Sequence, residues 1–201
     1  MKRLNPPDSL ARILLRGLVH ILLGLAIALA GLFLSRFIFL FILGAITFIF
    51  ILTELIRFRH QPLNNWFCSF LRPLLRDRET SRLTGASYIL IASLLVFLFF
   101  DKNVAALAVS FMALGDAVAT IVGKCCGKHR IYGKTLEGNL ACLAACLLTA
   151  FTLSVVGLPV SLITALIGAV TATVTESLPL PVNDNLAIPL LSALVMTLLP
   201  F

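Results

Sequence analysis

Charge is scarce in this chain. Only 12% of its 201 residues are Asp, Glu, Lys or Arg, against roughly 25% in a soluble domain, while 60% are hydrophobic and the mean hydropathy is +1.05. That shortfall leaves too little polar surface for a dissolved globule and points to one integral membrane domain over residues 1–201. Acidic residues are fewest, nine against sixteen basic, for a net charge of +7. The basic residues lie between apolar runs, where they orient a membrane protein, so no nucleic-acid partner is expected. Cysteine is sparse and odd in number, with five residues at no framework spacing, which excludes a disulfide scaffold. Cys125 and Cys126 are adjacent, and Cys142 and Cys146 lie one helical turn apart as small packing residues, so no zinc site is expected.

What is abundant is apolar sequence. A bilayer-crossing helix needs about 20 apolar residues. Seven runs approach that length, at 17–35, 37–56, 84–100, 104–122, 139–157, 160–175 and 186–201. The expected fold is therefore an all-α integral membrane protein of about seven transmembrane helices. Fourteen of the sixteen basic residues fall on one side of that arrangement, leaving Arg36 and Lys102 opposite. The positive-inside rule then puts the N-terminus in the cytoplasm and the C-terminus outside. The first run imitates a signal peptide, with Ala28-Leu29-Ala30 before Gly31, but its basic region is long and the next run starts almost at once. Residues 62–83 interleave Trp66, Phe67, Phe70, Leu71, Leu74 and Leu75 with Arg72, Arg76 and Arg78, the pattern of an amphipathic helix in the cytoplasmic interface. Such a helix anchors the chain or gates lipid entry.

Against this background the polar residues of 115–138 stand out. Gly115-Asp116-Ala117 ends an apolar run, and Gly123, Lys124, Gly127, Lys128, Gly133, Lys134, Thr135, Glu137 and Gly138 follow. Ionisable groups at membrane depth are costly and mark working sites. Glycine beside lysine lets backbone approach a phosphate. The Gly133-Lys134-Thr135 triplet is not a P-loop, since five residues rather than four separate it from Gly127 and no strand precedes it. Thr135 instead caps the next helix, whose N-terminus and dipole would face phosphates beside Lys134. Asp116, Glu137, Glu176 and Asp184 come from four runs at one depth on one face, a set that would hold Mg²⁺. Asn183 and Asn185 flank Asp184 in a proline-framed turn, and Arg16 and His20 share a face near the same depth. Glu54, Asp77 and Arg130 read as solvated helix ends.

At these residues the chain resembles the CTP-dependent polyprenol, dolichol, phytol and diacylglycerol kinases over most of its length. The resemblance is carried by Gly115-Asp116-Ala117 through Gly123 and Gly127, by Lys134-Thr135-Leu136-Glu137-Gly138, and by Asp184-Asn185-Leu186 with Pro189. Arg16 with His20 and Gly24, and Arg76 and Glu79 before Thr84-Gly85, add weaker echoes. It implies a multi-pass enzyme; the compact length suggests a prokaryotic cell membrane or an organellar form, and the charge bias puts the active site on the cytoplasmic face. The enzyme would move the γ-phosphoryl of CTP to a lipid alcohol, with a divalent cation such as Mg²⁺. Asp116, Glu137 and Asp184 would be metal or catalytic carboxylates. Lys124, Lys128 and Lys134 would hold the triphosphate with Gly123, Gly127 and Gly133. Asn139, Asn183 and Asn185 would bind base, ribose or phosphate. The related cytidylyltransferases, which make a CDP-lipid, usually end in a histidine-glycine-glycine and paired-aspartate signature; this chain has Asn183-Asp184-Asn185 instead. A transporter is the more distant alternative, disfavoured because the charges gather near one face and no repeat relates the halves.

Overall fold

The computed structural model describes residues 10–75, 77–131 and 133–198. Among these the chain is helical except for one minimal hairpin. The helices are α1 (Leu10–Phe33), α2 (Arg36–Arg59), α3 (Gln61–Phe70), α4 (Gly85–Phe99), α5 (Lys102–Cys126), α6 (Leu136–Val155), α7 (Leu162–Ser177) and α8 (Asp184–Leu198). A 3₁₀ turn, Asp77–Thr80, precedes α4, and strands β1 (Arg130–Ile131) and β2 (Lys134–Thr135) pair antiparallel between α5 and α6.

Among the described residues each of the seven apolar runs is helical, and four of the helices, α1, α2, α5 and α6, are long and apolar enough to cross a membrane. The other three, α4, α7 and α8, have 15, 16 and 15 residues. At 1.5 Å per residue they reach only about 22–24 Å, short of a hydrocarbon core of roughly 30 Å. The outer faces of α1 and α2 are apolar, with Phe33, Phe37, Phe41 and Phe48 all largely exposed.

Helix α5 is the spine. Residues 105–109 and 111–113 are at most 1% exposed, and α1, α4, α6, α7 and α8 all pack around it. Close approach of small residues is how apolar helices of this kind pack on one another. Gly24 of α1 sits so tightly on Ala113 that any side chain there would collide, and Gly168 of α7 lies against the flexible Met196 side chain of α8.

The interfacial segment differs from the expected continuous helix over 62–83. α3 stops at Phe70, a turn follows over 71–74, and the 3₁₀ turn completes the path to α4. Pro73 is the cause, because it disfavours helical geometry in the residue before it and brings no N–H. The expected apolar stripe also divides. Trp66 and Phe70 stack on one another at 5.6 Å on the exposed side, whereas Phe67, Leu71, Leu74 and Leu75 turn inward over a cavity.

Candidate functional site

The site lies at the end of the bundle where α5 and α2 finish and α4, α6 and α8 begin. Within α5, residues Met112–Asp116 form a π-helical turn. Such turns insert one extra residue per turn and re-aim the side chains that follow. Here Gly115 makes room for Cys142 and Cys146 of α6, since a Cβ on it would lie 2.8 Å from Cys146 Sγ and 3.0 Å from Cys142 Sγ. Both cysteines are buried packing residues at this crossing. Asp116 follows Gly115 directly and is 7% exposed.

Three carboxylates converge. One oxygen each from Asp116 of α5, Glu176 at the end of α7 and Asp184 at the start of α8 lie within 4.8 Å of one another. Lys134 of β2 reaches into the group, with Nζ 3.0 Å from Glu176 Oε1 and 2.9 Å from Asp184 Oδ2. Burial works against the charge on Lys134, but Glu176 and Asp184 outweigh it and hold its pKa above the usual lysine value. Glu176 Oε2 is buried with no hydrogen-bond partner among the described residues. A buried carboxylate oxygen without a partner is costly, and a cation would supply what the protein does not. The residues present therefore fit a divalent ion held by Asp116, Glu176 and Asp184. Glu137 is not with them. Its carboxylate meets His129 instead, with Oε1 2.8 Å from His129 Nδ1 and 3.2 Å from its backbone N–H, and so closes the hairpin loop.

The trio and residues of 123–130 and 133–139 line one cavity of about 490 Å³. Gly123, Lys124, Gly127, Gly133, Lys134, Thr135, Gly138 and Asn139 face it, as does Arg130, which is exposed. Lys128 is exposed and outside that lining, and Asn183 is spent locally, its side chain accepting from Asn185 N–H at 3.0 Å. Thr135 caps α6, accepting from Gly138 N–H at 3.2 Å. The glycines have a second reason to be glycine. A Cβ on Gly123 would lie 2.7 Å from Thr135 Oγ1, and one on Gly138 2.8 Å from Ala119 O. Their bareness lets α5 and α6 cross closely, which sequence alone assigned to phosphate approach. Gly133, with φ +87°, supplies the hairpin turn.

On its other side Asp116 faces α1. His20 Nε2 lies 3.6 Å from Asp116 Oδ2 and 3.0 Å from Asn185 Oδ1, and Asn185 Nδ2 donates to Gly85 O at 3.3 Å. Glu79 Oε1 accepts from Gly85 N–H at 2.9 Å. These groups, with Arg16, border a second cavity of about 240 Å³ whose remaining walls are mostly hydrocarbon. Asp116 and Thr120 are the residues common to both cavities. Arg76, the remaining residue of the sequence constellation, lies outside the described residues.

Sequence reasoning missed one cluster. Glu54, expected as a solvated helix end, is 0% exposed, as is Arg57 one turn later. Arg57 Nη2 bonds Glu54 Oε1 at 3.2 Å, Arg82 O at 2.9 Å and Glu79 O at 3.0 Å, while Nη1 bonds Asn64 Oδ1 at 2.8 Å. The guanidinium also lies 4.4 Å and 4.6 Å from the ring centres of Phe58 and Phe67. Glu54 accepts in addition from Thr84 N–H at 3.1 Å and from the Ser87 hydroxyl. The pair ties α2, α3, the 3₁₀ turn and α4 together beside the apolar cavity. Its one trace in the sequence is the i, i+3 spacing of Glu54 and Arg57 inside an apolar run.

Comparison with known proteins adds one relative. The chain is 27% identical over 176 residues to an uncharacterised protein, RP860, of Rickettsia prowazekii (strain Madrid E), covering 85% of this chain and 86% of that one. No family model and no solved structure matches it. Fold and site thus define an all-helical protein which, among the described residues, has four helices long and apolar enough to cross a membrane and a largely buried acidic cluster at one end.

Proposed function

We propose that this protein is a lipid-alcohol kinase of the bilayer, transferring the γ-phosphoryl of CTP to the hydroxyl of a membrane lipid. One observation carries the reading. Asp116 stands in the wall between a cavity rimmed by glycines, lysines and a capped helix N-terminus and a cavity walled by hydrocarbon. The first suits a soluble triphosphate and the second a greasy acceptor. The choice of CTP rests on the family resemblance.

In this reading Lys134, Lys124 and the N-terminus of α6 hold the triphosphate. Asp116 accepts the hydroxyl proton as the alcohol oxygen attacks the γ-phosphorus; the bond from that phosphorus to the bridging oxygen breaks, and CDP leaves. His20, anchored on Asn185, holds Asp116 from the α1 side. A divalent cation held by Asp116, Glu176 and Asp184 would neutralise phosphate charge. All seven apolar helices lie in the membrane, with α4, α7 and α8 as short members, and the basic site end faces the cytoplasm.

The test is CDP release from CTP in proteoliposomes across isoprenoid alcohols and diacylglycerol, wild type against Asp116→Asn. The expected result is CDP from wild type and a loss of about 10²–10⁴-fold in the variant, with its melting temperature retained. Pyrophosphate released when phosphatidate replaces the alcohol would make the protein a cytidylyltransferase. Equal turnover by the variant removes Asp116 from the chemistry.

A further inference from the structure

The apolar cavity has an organisation of its own. Its polar groups are joined in one patch: Asp116 to His20, His20 to Asn185, Asn185 to Gly85, and Gly85 to Glu79. Arg16, one turn before His20, borders the same cavity. Away from this patch the walls are Leu23 of α1, Phe50 of α2, Phe67 of α3 and the leucines at 71, 74 and 75. An occupant must carry one compact polar head and a tail that asks for no hydrogen bonds.

The charges in the patch narrow the head. Asp116 and Glu79 would repel a carboxylate or phosphate, and Arg16 would repel an ammonium. A neutral hydroxyl, which both donates and accepts, is opposed by none of them. The tail also has a route. Helices α1 and α2 are consecutive yet barely touch, because α2 packs on α4 while α1 packs on α5. Leu23 and Phe50 face the cavity from either side of that seam, and the outer faces of both helices are apolar. α3 and the 71–75 turn cover the cavity, and Arg57 fixes that cover to α2.

We infer that this cavity binds a single-chain lipid alcohol that enters laterally between α1 and α2, its hydroxyl against Asp116 and His20 and its hydrocarbon leaving past Leu23 and Phe50. The inference rests on the kinase reading for the use made of the hydroxyl, not for the binding itself. Single-chain alcohols are favoured over diacylglycerol because diacylglycerol carries two ester carbonyls within a few bonds of its hydroxyl. In this cavity those carbonyls would sit among Leu23, Phe50 and Phe67, stripped of water. An isoprenoid or straight-chain alcohol has only hydrocarbon there.

The test uses a diazirine-bearing hexadecanol with the full chain in liposomes and no nucleotide, reading labelled peptides by mass spectrometry. Labelling is expected to concentrate in residues 13–23 and 67–75 and to fall about tenfold with excess unlabelled phytol, far less with dioleoylglycerol. Leu23→Trp, which fills the seam, is expected to abolish labelling of 67–75 while the outward face around Phe48 still labels. Phe50→Ala, which widens the seam, provides a second variant and is expected to let dioleoylglycerol compete. Labelling spread over outward faces without competition overturns the site, and equal competition by dioleoylglycerol overturns the single-chain assignment. If CTP is never consumed while this labelling holds, the kinase reading falls and the alcohol site stands. If CDP forms while labelling avoids the cavity, the reverse follows.

Discussion

Two buried ionic clusters flank the apolar cavity, and they are finished to different degrees. In the Glu54–Arg57 pair both carboxylate oxygens and both terminal guanidinium nitrogens have partners, with only Arg57 Nε left against aromatic rings. In the second cluster three carboxylates face one lysine, and Glu176 Oε2 has no partner among the described residues. The atom left over in the first is a single N–H of a guanidinium packed near rings, whereas in the second it is a carboxylate oxygen beside two further carboxylates. A buried carboxylate oxygen without a partner calls for an explanation, and a bound cation would be one. The first cluster therefore reads as architecture, and the second is the one proposed to take a cation.

Substitutions should separate the two. The largest loss of stability is expected from Arg57→Ala, which strands Glu54 and should cost roughly 3–5 kcal/mol. The double change Glu54→Leu with Arg57→Met should recover most of it, as read by denaturant unfolding in detergent. A single variant as stable as wild type would deny the pair its structural role. Next, Lys134→Met should lower metal-free stability by about 1–2 kcal/mol, because Lys134 is partly exposed, and should enlarge the stabilisation that Mg²⁺ gives. A related effect follows with pH. Lys134 has a raised pKa in the fold, so its contribution is complete below the ordinary value of 10.5 and lost as pH rises through the higher folded value. The wild type should thus show an alkaline fall in melting temperature that Lys134→Met lacks.

Glu176→Gln should change metal-free stability by only about 0.5 kcal/mol yet erase the rise in melting temperature on adding Mg²⁺. If wild type shows no such rise, the trio is not a cation site. Glu137→Gln should have the smallest effect, leaving the Mg²⁺ response intact, because its carboxylate belongs to His129. Loss of the response there would return Glu137 to the metal set.

Much of the architecture was legible locally. The seven helical runs, the cap at Thr135 and the inward charge at Asp116 each follow from composition or spacing over a few residues. The interfacial helix was legible in its periodicity but not in its length, since Pro73 interrupts a pattern that hydropathy alone continues. Glu54 was misread because a carboxylate near a helix end looks solvated in sequence. Only the return of residues 79–87 over the end of α2 buries it.

The sequence by itself determined the kind of protein this is: a helical chain with several apolar runs long enough for a bilayer and one stretch that concentrates its polar residues. Those properties are set by side-chain chemistry at short range. The tertiary structure alone decided which charges share a site. Asp116, Glu176 and Asp184 meet while Glu137 turns away, because α7 and α8 pack on one another at Gly168 and Met196 and both pack on α5. No spacing along the chain encodes that convergence.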